Sequence, residues 1–392
     1  MWAATNIFRR VSSPRLRRLA TRIALCLSAF FLHGTAPAMD SSHLIYFGTY
    51  TRSTSRGIYA ARLDDATGAL SAPQLVAEID SPTWVTVSPD RKFLYAVHGS
   101  RALVAGYAID PSTGALTPLP LPASAQEPAG APCHLAIDAT QKTLVAANYG
   151  DGYVAALPIH ADGTLGAPQI IRHAGTGPNP QRQEKPHVHS VTISPDNRFV
   201  MVCDLGLDKV FTYALDAANA RLTPAQPPFV ATQPCGGPRH FKFGPDGRHA
   251  YVLSEMGSSV EVFDYDPAKG ALSPRQIATT LPGGYMAKWG AEVRVHPNGK
   301  FLYASNRGHD SIAVFAIDAA TGALSLVEII PTGGKVPRNF ALSPNGKWLV
   351  CGHQDADTAY VNVFRVDAAT GRLTATQHRA AIPMVVCVEF WN

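Results

Sequence analysis

The chain lacks most of the features that mark other protein classes. No apolar stretch approaches the ~20 residues that a membrane-spanning helix needs. There is no GxSxG elbow, no Walker loop and no HExxH pair, so the commonest hydrolase, nucleotide and zinc-protease signatures are missing. Gly-rich turns are present, but they read as hairpins and do not imply a nucleotide site. Charged residues make up only 16% of the 392, whereas hydrophobic residues make up 46%. That apolar content is ample for a core and excludes a disordered chain. Collagen-like and coiled-coil compositions are excluded as well. The length allows two average domains or one large all-β or α/β unit.

Acidic residues are absent from residues 1–38, which carry Arg9, Arg10, Arg15, Arg17, Arg18 and Arg22. Without these six, Lys plus Arg falls from 34 to 28 against an unchanged 29 Asp plus Glu. The remainder is near neutral and has no electrostatic footprint for nucleic acid. After the arginines come a ten-residue apolar run, Ile23 to Leu32, and then Ala36-Pro37-Ala38. A basic start, a short apolar stretch and an A-x-A site predict a secretory signal peptide over 1–38. Arg17-Arg18 is followed by residues that match the twin-arginine motif poorly, and Cys26 inside the apolar run is a poor lipoprotein site. This pattern predicts that residues 39–392 lie in the periplasm or outside the cell, with no membrane association once the leader is removed; a start misplaced upstream of a cytosolic protein would leave them in the cytoplasm.

Cysteine is scarce, and no C-x-x-C pair occurs. Beyond the leader stand Cys133, Cys203, Cys235, Cys351 and Cys387. An odd, scattered set is not a disulfide framework. Cys203, Cys351 and Cys387 sit in apolar, strand-like runs and read as buried thiols acting as small hydrophobes.

A self-similar unit is what the chain does have. Val85-Thr86-Val87-Ser88-Pro89-Asp90 followed by Phe93-Leu94-Tyr95-Ala96-Val97 reads as strand, turn, strand. The turn returns with Pro195-Asp196, Pro245-Asp246, Pro297-Asn298 and Pro344-Asn345, and in degenerate form as Asp138-Ala139-Thr140. Positions 89, 139, 195, 245, 297 and 344 mark a period near 50 residues. A second marker is a Gly-x-Leu hairpin ending at Leu70, Leu116, Leu165, Leu222, Leu272, Leu324 and Leu373; the fourth copy has Ala220 in place of glycine. Glycine suits a tight hairpin that needs positive φ. Four short alternating strands per unit and this period predict an all-β, seven-bladed β-propeller with four-stranded antiparallel blades. The seventh blade needs the orphan strand Val385 to Phe390 to pair with the N-terminal unit at Leu44 to Phe47. That pairing closes the ring and removes an open sheet edge. Residues 39–392 are thus expected to form one domain, and a ring closed on itself predicts a monomer.

The first strand of each propeller blade lines the central channel, so aligned positions define rings of candidate residues. Six residues before each marker lie Thr83, Cys133, His189, Arg239, Ala291 and Arg338. One later stand Trp84, His134, Ser190, His240, Glu292 and Asn339. Nine and ten residues after the marker come His98, Asn148-Tyr149, Asp204, Ser254-Glu255, Asn306-Arg307 and His353-Gln354. Recurrence of His, Arg, Asp and Glu at equivalent places predicts a functional pocket on the axis. His187 and His189 lie at i, i+2, on one strand face, and could ligate a metal. No carboxylate or cysteine completes that set, so no metal and no cofactor is expected. An acid, a histidine and several arginines facing a channel suit a small anionic substrate, with Arg239 placed to bind a carboxylate or phosphate bidentately.

Several stretches carry a resemblance. Phe47-Gly48-Thr49-Tyr50-Thr51, Ala147-Asn148-Tyr149-Gly150, Gln183 to Ser190, Gly237-Pro238-Arg239-His240, Ser254-Glu255, Ser305-Asn306-Arg307 and Pro337-Arg338-Asn339-Phe340 resemble the seven-bladed propeller lactonase family. That family includes a bacterial type of 6-phosphogluconolactonase and the fungal carboxy-cis,cis-muconate cyclising enzyme. The resemblance spans about residues 43–392. It implies His189, Arg239, Glu255 and Arg307 as catalytic residues, and metal-free hydrolysis or formation of a lactone bearing an acidic group. Arg338, His240, His134, Asn148, Asp204, Glu292 and His353 are expected to contact a small anionic lactone or sugar-acid substrate, with Arg239, Arg307 and Arg338 holding its phosphate or carboxylate and the developing oxyanion. His189 or Glu255 would deprotonate the attacking water. Three functions stay open: hydrolysis of 6-phosphogluconolactone or a related sugar lactone, cycloisomerisation of a muconate-like acid, and a non-catalytic exported binding propeller.

Overall fold

The computed structural model describes residues 42–99, 104–121, 130–283, 285 and 289–391. The expected signal peptide lies outside them. The described residues contain 28 strands and no helix, arranged as seven four-stranded antiparallel sheets. Blade 1 joins Val385–Phe390 to Ser42–Thr49, Gly57–Asp64 and Gln74–Glu78. Blades 2 to 7 follow in chain order over 85–118, 132–172, 188–231, 238–279, 290–331 and 339–380. The predicted closure is present: Ile45 pairs with Phe390, Tyr46 with Glu389 and Phe47 with Val388. The seven innermost strands touch their neighbours in cyclic order, from Val85–Val87 round to Val385–Phe390 and back.

Alternation along the strands is weaker than the sequence reading expects, for a reason that lies in the packing. The second strands of several blades are buried along their whole length, as in Thr143–Asn148, Phe199–Asp204, His249–Ser254 and Phe301–Asn306. Each is covered by a neighbouring blade on both faces, so both faces are apolar. Only the outermost strands, such as Arg221–Ala231, keep an exposed face. The core therefore lies between blades, for example Val145, Ala147, Val188, Val200 and Tyr213 between blades 3 and 4. At about 1.5–3 kcal/mol for each fully buried large apolar side chain, these interfaces outweigh the single hydrogen bonds that also cross them.

Both sequence markers have a physical cause. In the Ser-Pro-Asp turn, the Ser88 hydroxyl donates to Asp90 Oδ1 at 2.7 Å and accepts from the Phe93 amide at 3.0 Å. In the degenerate copy the Asp138 carboxylate takes over, accepting from the amides of Thr140 and Thr143, each at 2.7 Å. The Gly-x-Leu hairpins dock onto the preceding blade. Tyr46, Tyr95, Tyr251 and Tyr303 each donate to the carbonyl of the next blade's hairpin glycine, at 3.0, 2.9, 3.1 and 2.9 Å. Gly371 has φ +73° and lies so close to Phe301 that a Cβ would run into the ring. The exceptional Ala220 keeps a positive φ of 49°. Where the other blades present a bulky side chain to the next hairpin, blade 3 presents Thr143, whose hydroxyl donates to Ala217 O at 2.8 Å. A smaller residue on one blade matches a methyl group on the next.

Gly371→Ala should therefore destabilise the fold by about 2 kcal/mol or more, through overpacking and an unfavourable φ. Ala220→Gly should change stability by less than about 1 kcal/mol. Thermal denaturation of the two variants beside the parent protein checks this; equal midpoints would refute the close-packing explanation.

Candidate active site

Innermost strands begin, and second strands end, at one end of the ring axis. There the fold opens a cavity of about 560 Å³. Entry positions contribute Thr83, Cys133, His189 and Arg338 to its wall; residues ten after the markers contribute Gly99, Tyr149, Glu255 and Arg307. Tyr50, after the second strand of blade 1, Trp289, before the innermost strand of blade 6, and the loop residues Arg52 and Arg182 complete it.

Backbone bulges aim the entry residues. In blade 4, Val188 pairs with Asp204 and Ser190 with Cys203, leaving His189 as an extra residue. Blade 5 does the same at Arg239, and blade 3 at Cys133. A bulge turns a side chain that regular pleating would send elsewhere. Cys133 and His189 thereby reach the cavity. Arg239, only 2% exposed, lies just beneath it.

Glu255 is the electrostatic centre. Its Oε2 lies 3.0 Å from Arg239 Nε and 2.8 Å from Arg307 Nη2, and its Oε1 lies 2.7 Å from Arg182 Nη2. Burial pushes its carboxyl upward. Arg307, Arg239, His189 and Arg182 outweigh that and hold it well below the usual carboxylate range. Glu255 is a fixed anion. Arg182 also donates to the Tyr149 hydroxyl at 3.3 Å, and its guanidinium lies 4.9 Å from the centre of the Trp289 ring. Burial, together with Arg338 and Arg307, lowers Arg239, which stays charged at neutral pH. Burial, then Arg239 and His240, pushes His189 well below the ordinary imidazole value. His189 is therefore neutral, and its Nδ1 is buried with no hydrogen-bond partner. Burial pushes the Cys133 thiol up to about 12, so it is no nucleophile at neutral pH.

Beneath the cavity Arg239 Nη1 lies 3.1 Å from His240 Nε2 and also donates to the Ala291 carbonyl. His240 Nδ1 lies 3.1 Å from Glu292 Oε1 but has no hydrogen-bond partner. Glu292 accepts from Asn339 Nδ2. Trp84 stacks on His134 at 3.9 Å, and His240 lies 5.3 Å from His134. This ring layer separates the upper cavity from a lower one of about 260 Å³, lined by Thr86, His134, Lys242, Arg294 and Glu389 among others.

Several residues expected to touch substrate lie elsewhere. Position nine ends its strand at Asn148, Asp204, Ser254 and Asn306 and lies just past the strand end at His98 and His353. Asn148 Oδ1 accepts from the Asp151 amide at 3.0 Å. Asp204 accepts from the His187 and Gly206 amides and lies 2.6 Å from His173 Nδ1. His353 Nδ1 lies 3.1 Å from the Tyr360 carbonyl. Position ten, already on the loop, is the one that faces the cavity at Tyr149, Glu255 and Arg307. His240 and Glu292 support the floor, and His134 faces the lower cavity. His187 stacks on Tyr149 at 4.4 Å, and its two ring nitrogens lie 3.0 Å from the Tyr149 carbonyl and 3.1 Å from Glu184. The bulge at His189 breaks the same-face relation between the two histidines. Among the described residues no group of three or more His, Cys, Asp or Glu is placed to hold a metal ion. Tyr50 follows the second strand of blade 1 as Tyr149 does in blade 3, and its amide donates to Met384 O as the Tyr149 amide donates to Ala131 O; blade 1 has no Pro-Asp turn to count from, so the marker count misses it. Trp289 lies eight residues before its marker, outside the registers counted, and Arg52 and Arg182 lie on loops that the markers do not index. Arg182 directly precedes the Gln183 to Ser190 stretch, and that adjacency was the available signal.

Replacing the Glu255 carboxylate would leave three guanidiniums facing one another. Glu255→Gln should cost about 3 kcal/mol of stability at pH 7, read as a lower unfolding midpoint than the parent. An unchanged midpoint would show that the carboxylate does not hold the cluster together.

Comparisons with known proteins agree with this fold. The family described as "Lactonase, 7-bladed beta-propeller" matches residues 44–390. The 6-phosphogluconolactonase of Bacillus subtilis is 36% identical over 355 residues, 89% of this chain and 99% of that protein. The periplasmic gluconolactonase of Pseudomonas aeruginosa is similar in structure, with a TM-score of 0.83 and 33% identity over 89% of this chain and 99% of that one. A protein from Lactobacillus plantarum gives a TM-score of 0.79 at 33% identity, again over 89% of this chain and 99% of that one. On the match over nearly all of the described ring, the chain belongs to the seven-bladed β-propeller lactonase family.

Proposed function

We propose that the chain hydrolyses a six-carbon sugar lactone, in the first place 6-phospho-D-glucono-1,5-lactone, with His189 as the base. The observation that carries this reading is a neutral imidazole on the wall of the same cavity as guanidiniums tethered to a buried carboxylate. Glu255 is a poor base, because three arginines stabilise its anion and any proton it gained would be lost again. Its role is to hold Arg307 and Arg182, which line the cavity, and Arg239 beneath them.

In this mechanism His189 takes a proton from water as the oxygen adds to the lactone carbonyl carbon. Charge develops on the carbonyl oxygen and is met by the N–H groups of Arg307 and Arg182. The tetrahedral intermediate collapses by breaking the bond from this carbon to the ring oxygen. That oxygen takes the proton from the His189 imidazolium, which regenerates the base. The product is the open hydroxy acid, whose carboxyl ionises and releases one proton to solvent.

The leader reading adds export to the proposal. The exported Pseudomonas relative is a gluconolactonase and the Bacillus relative a 6-phosphogluconolactonase, so the unphosphorylated lactone is the second substrate to assay.

The test is pH-stat hydrolysis of both lactones by protein lacking residues 1–38, corrected for spontaneous opening. Acceleration of the phosphorylated lactone is expected, with His189→Gln lowering kcat by about 10²- to 10⁴-fold while the unfolding midpoint stays close to the parent's. No acceleration of either lactone would overturn the reading and move it to cyclisation of a muconate-like acid or to a binding propeller. The pH profile is a second check. The base works when unprotonated, and burial and Arg239 depress its pKa. The acid limb of kcat/KM should therefore lie below the ordinary imidazole value of about 6.5. A limb above that value would remove His189 from the role.

A further inference from the structure

Five guanidiniums serve the upper cavity and its floor, and they fall into two groups. Arg182, Arg239 and Arg307 all converge on Glu255. Arg52 and Arg338 have no carboxylate within ion-pair distance among the described residues. Both flank one aromatic ring: Arg52 lies 4.5 Å and Arg338 5.8 Å from the centre of Tyr50. Among the described residues, the one hydrogen bond from the Arg338 guanidinium, from Nη1, goes to the neutral Gln354 Oε1 at 3.3 Å. Asp80, on the same rim, accepts from the Thr51 and Ser81 hydroxyls at 2.8 and 3.0 Å.

Position in the ring separates the two groups. Tyr50 and Arg52 follow the strand Ser42–Thr49 of blade 1, and Arg338 precedes the innermost strand of adjacent blade 7. In a sevenfold ring the point opposite blade 1 falls between blades 4 and 5. Those blades carry His189, Arg239 and Glu255. The cavity thus has a reacting side, where cations are matched to a carboxylate, and a far side with two unmatched cations.

We propose that Arg52 and Arg338 form a subsite for a phosphate monoester dianion, at the end of the substrate remote from the reacting carbonyl. The assignment rests on the lactonase reading above and extends it to the class of substrate. Guanidiniums seated over an aromatic ring keep their N–H edges free for bidentate contact with phosphate oxygens. Two cations suit a dianion better than a single hydroxymethyl group. The reacting side also responds to the far side. Arg338 is among the charges that lower His189 and Arg239, so a dianion bound beside it would relieve that repulsion and make His189 a stronger base.

The experiment measures binding of 6-phosphogluconate, gluconate and inorganic phosphate by calorimetry, with kcat/KM for both lactones, in the parent protein, Arg52→Gln and Arg338→Gln. Arg52 is exposed, so its substitution leaves the fold intact. The parent should bind 6-phosphogluconate at least about tenfold more tightly than gluconate, the scale of charge-assisted hydrogen bonds. Each variant should shrink that preference, chiefly through KM for the phosphorylated lactone. Equal affinity for the two acids in the parent, or an undiminished preference in both variants, would overturn the subsite. If both lactones are hydrolysed without preference, the subsite fails and the lactonase reading stands. If neither is hydrolysed yet 6-phosphogluconate binds in an Arg52- and Arg338-dependent way, the lactonase reading fails and the phosphate subsite stands.

Discussion

The backbone pairing of Val385–Phe390 with Ser42–Thr49 is the constraint on which everything else rests. Without it the ring is a crescent with two raw sheet edges, and the axis is an open trough. With it, seven innermost strands surround a single axis, and residues from all seven blades share one small volume. The pairing joins residues more than 330 positions apart, so the site cannot be complete until both ends of the described chain are in place. The carbonyl-to-tyrosine bonds and the close-packed hairpin glycines do the same work blade by blade, holding each sheet at a fixed angle to the next.

Inside that ring the governing term is electrostatic. Burying Glu255 would be costly on its own, and so would burying Arg239. Together with Arg307 and Arg182 they satisfy one another, and the surplus positive charge falls on the cavity side. That surplus, with burial, keeps His189 unprotonated. Support continues downward through His240 to Glu292 and Asn339, so the position of Arg239 is set by a chain of contacts from the floor. The chemistry-bearing surface is thin, and most of the polar machinery lies underneath it, braced against blades 5, 6 and 7.

Much of this was legible from the residues alone, and what was not legible has identifiable causes. The Pro-Asp turns and Gly-x-Leu hairpins gave away the blades, because each encodes a local hydrogen-bond pattern that a sequence displays directly. The alignment of those markers also singled out the positions of His189, Glu255 and Arg307. It did not separate positions nine and ten, because a marker count does not show where the strand stops and the loop begins. Asn148, Asp204 and His353 brace the backbone, and position ten lines the cavity at Tyr149, Glu255 and Arg307. Arg239 was placed on the surface of the site when it forms the floor. Arg182 and Arg52 sit on loops that the markers do not index. The pairing of Ala220 with Thr143 could be seen only once blades 3 and 4 were side by side.

The ring layer of Trp84, His134 and His240 makes the axis a cup where a propeller channel is often pictured as a tube. A lactone entering the cup must leave as its acid by the same mouth, past the same cations that drew it in. The acid carries one more negative charge than the lactone it came from, so those cations hold it at least as firmly. Traffic is therefore two-way through a single door, and the charges that favour the arrival of an anion oppose its departure.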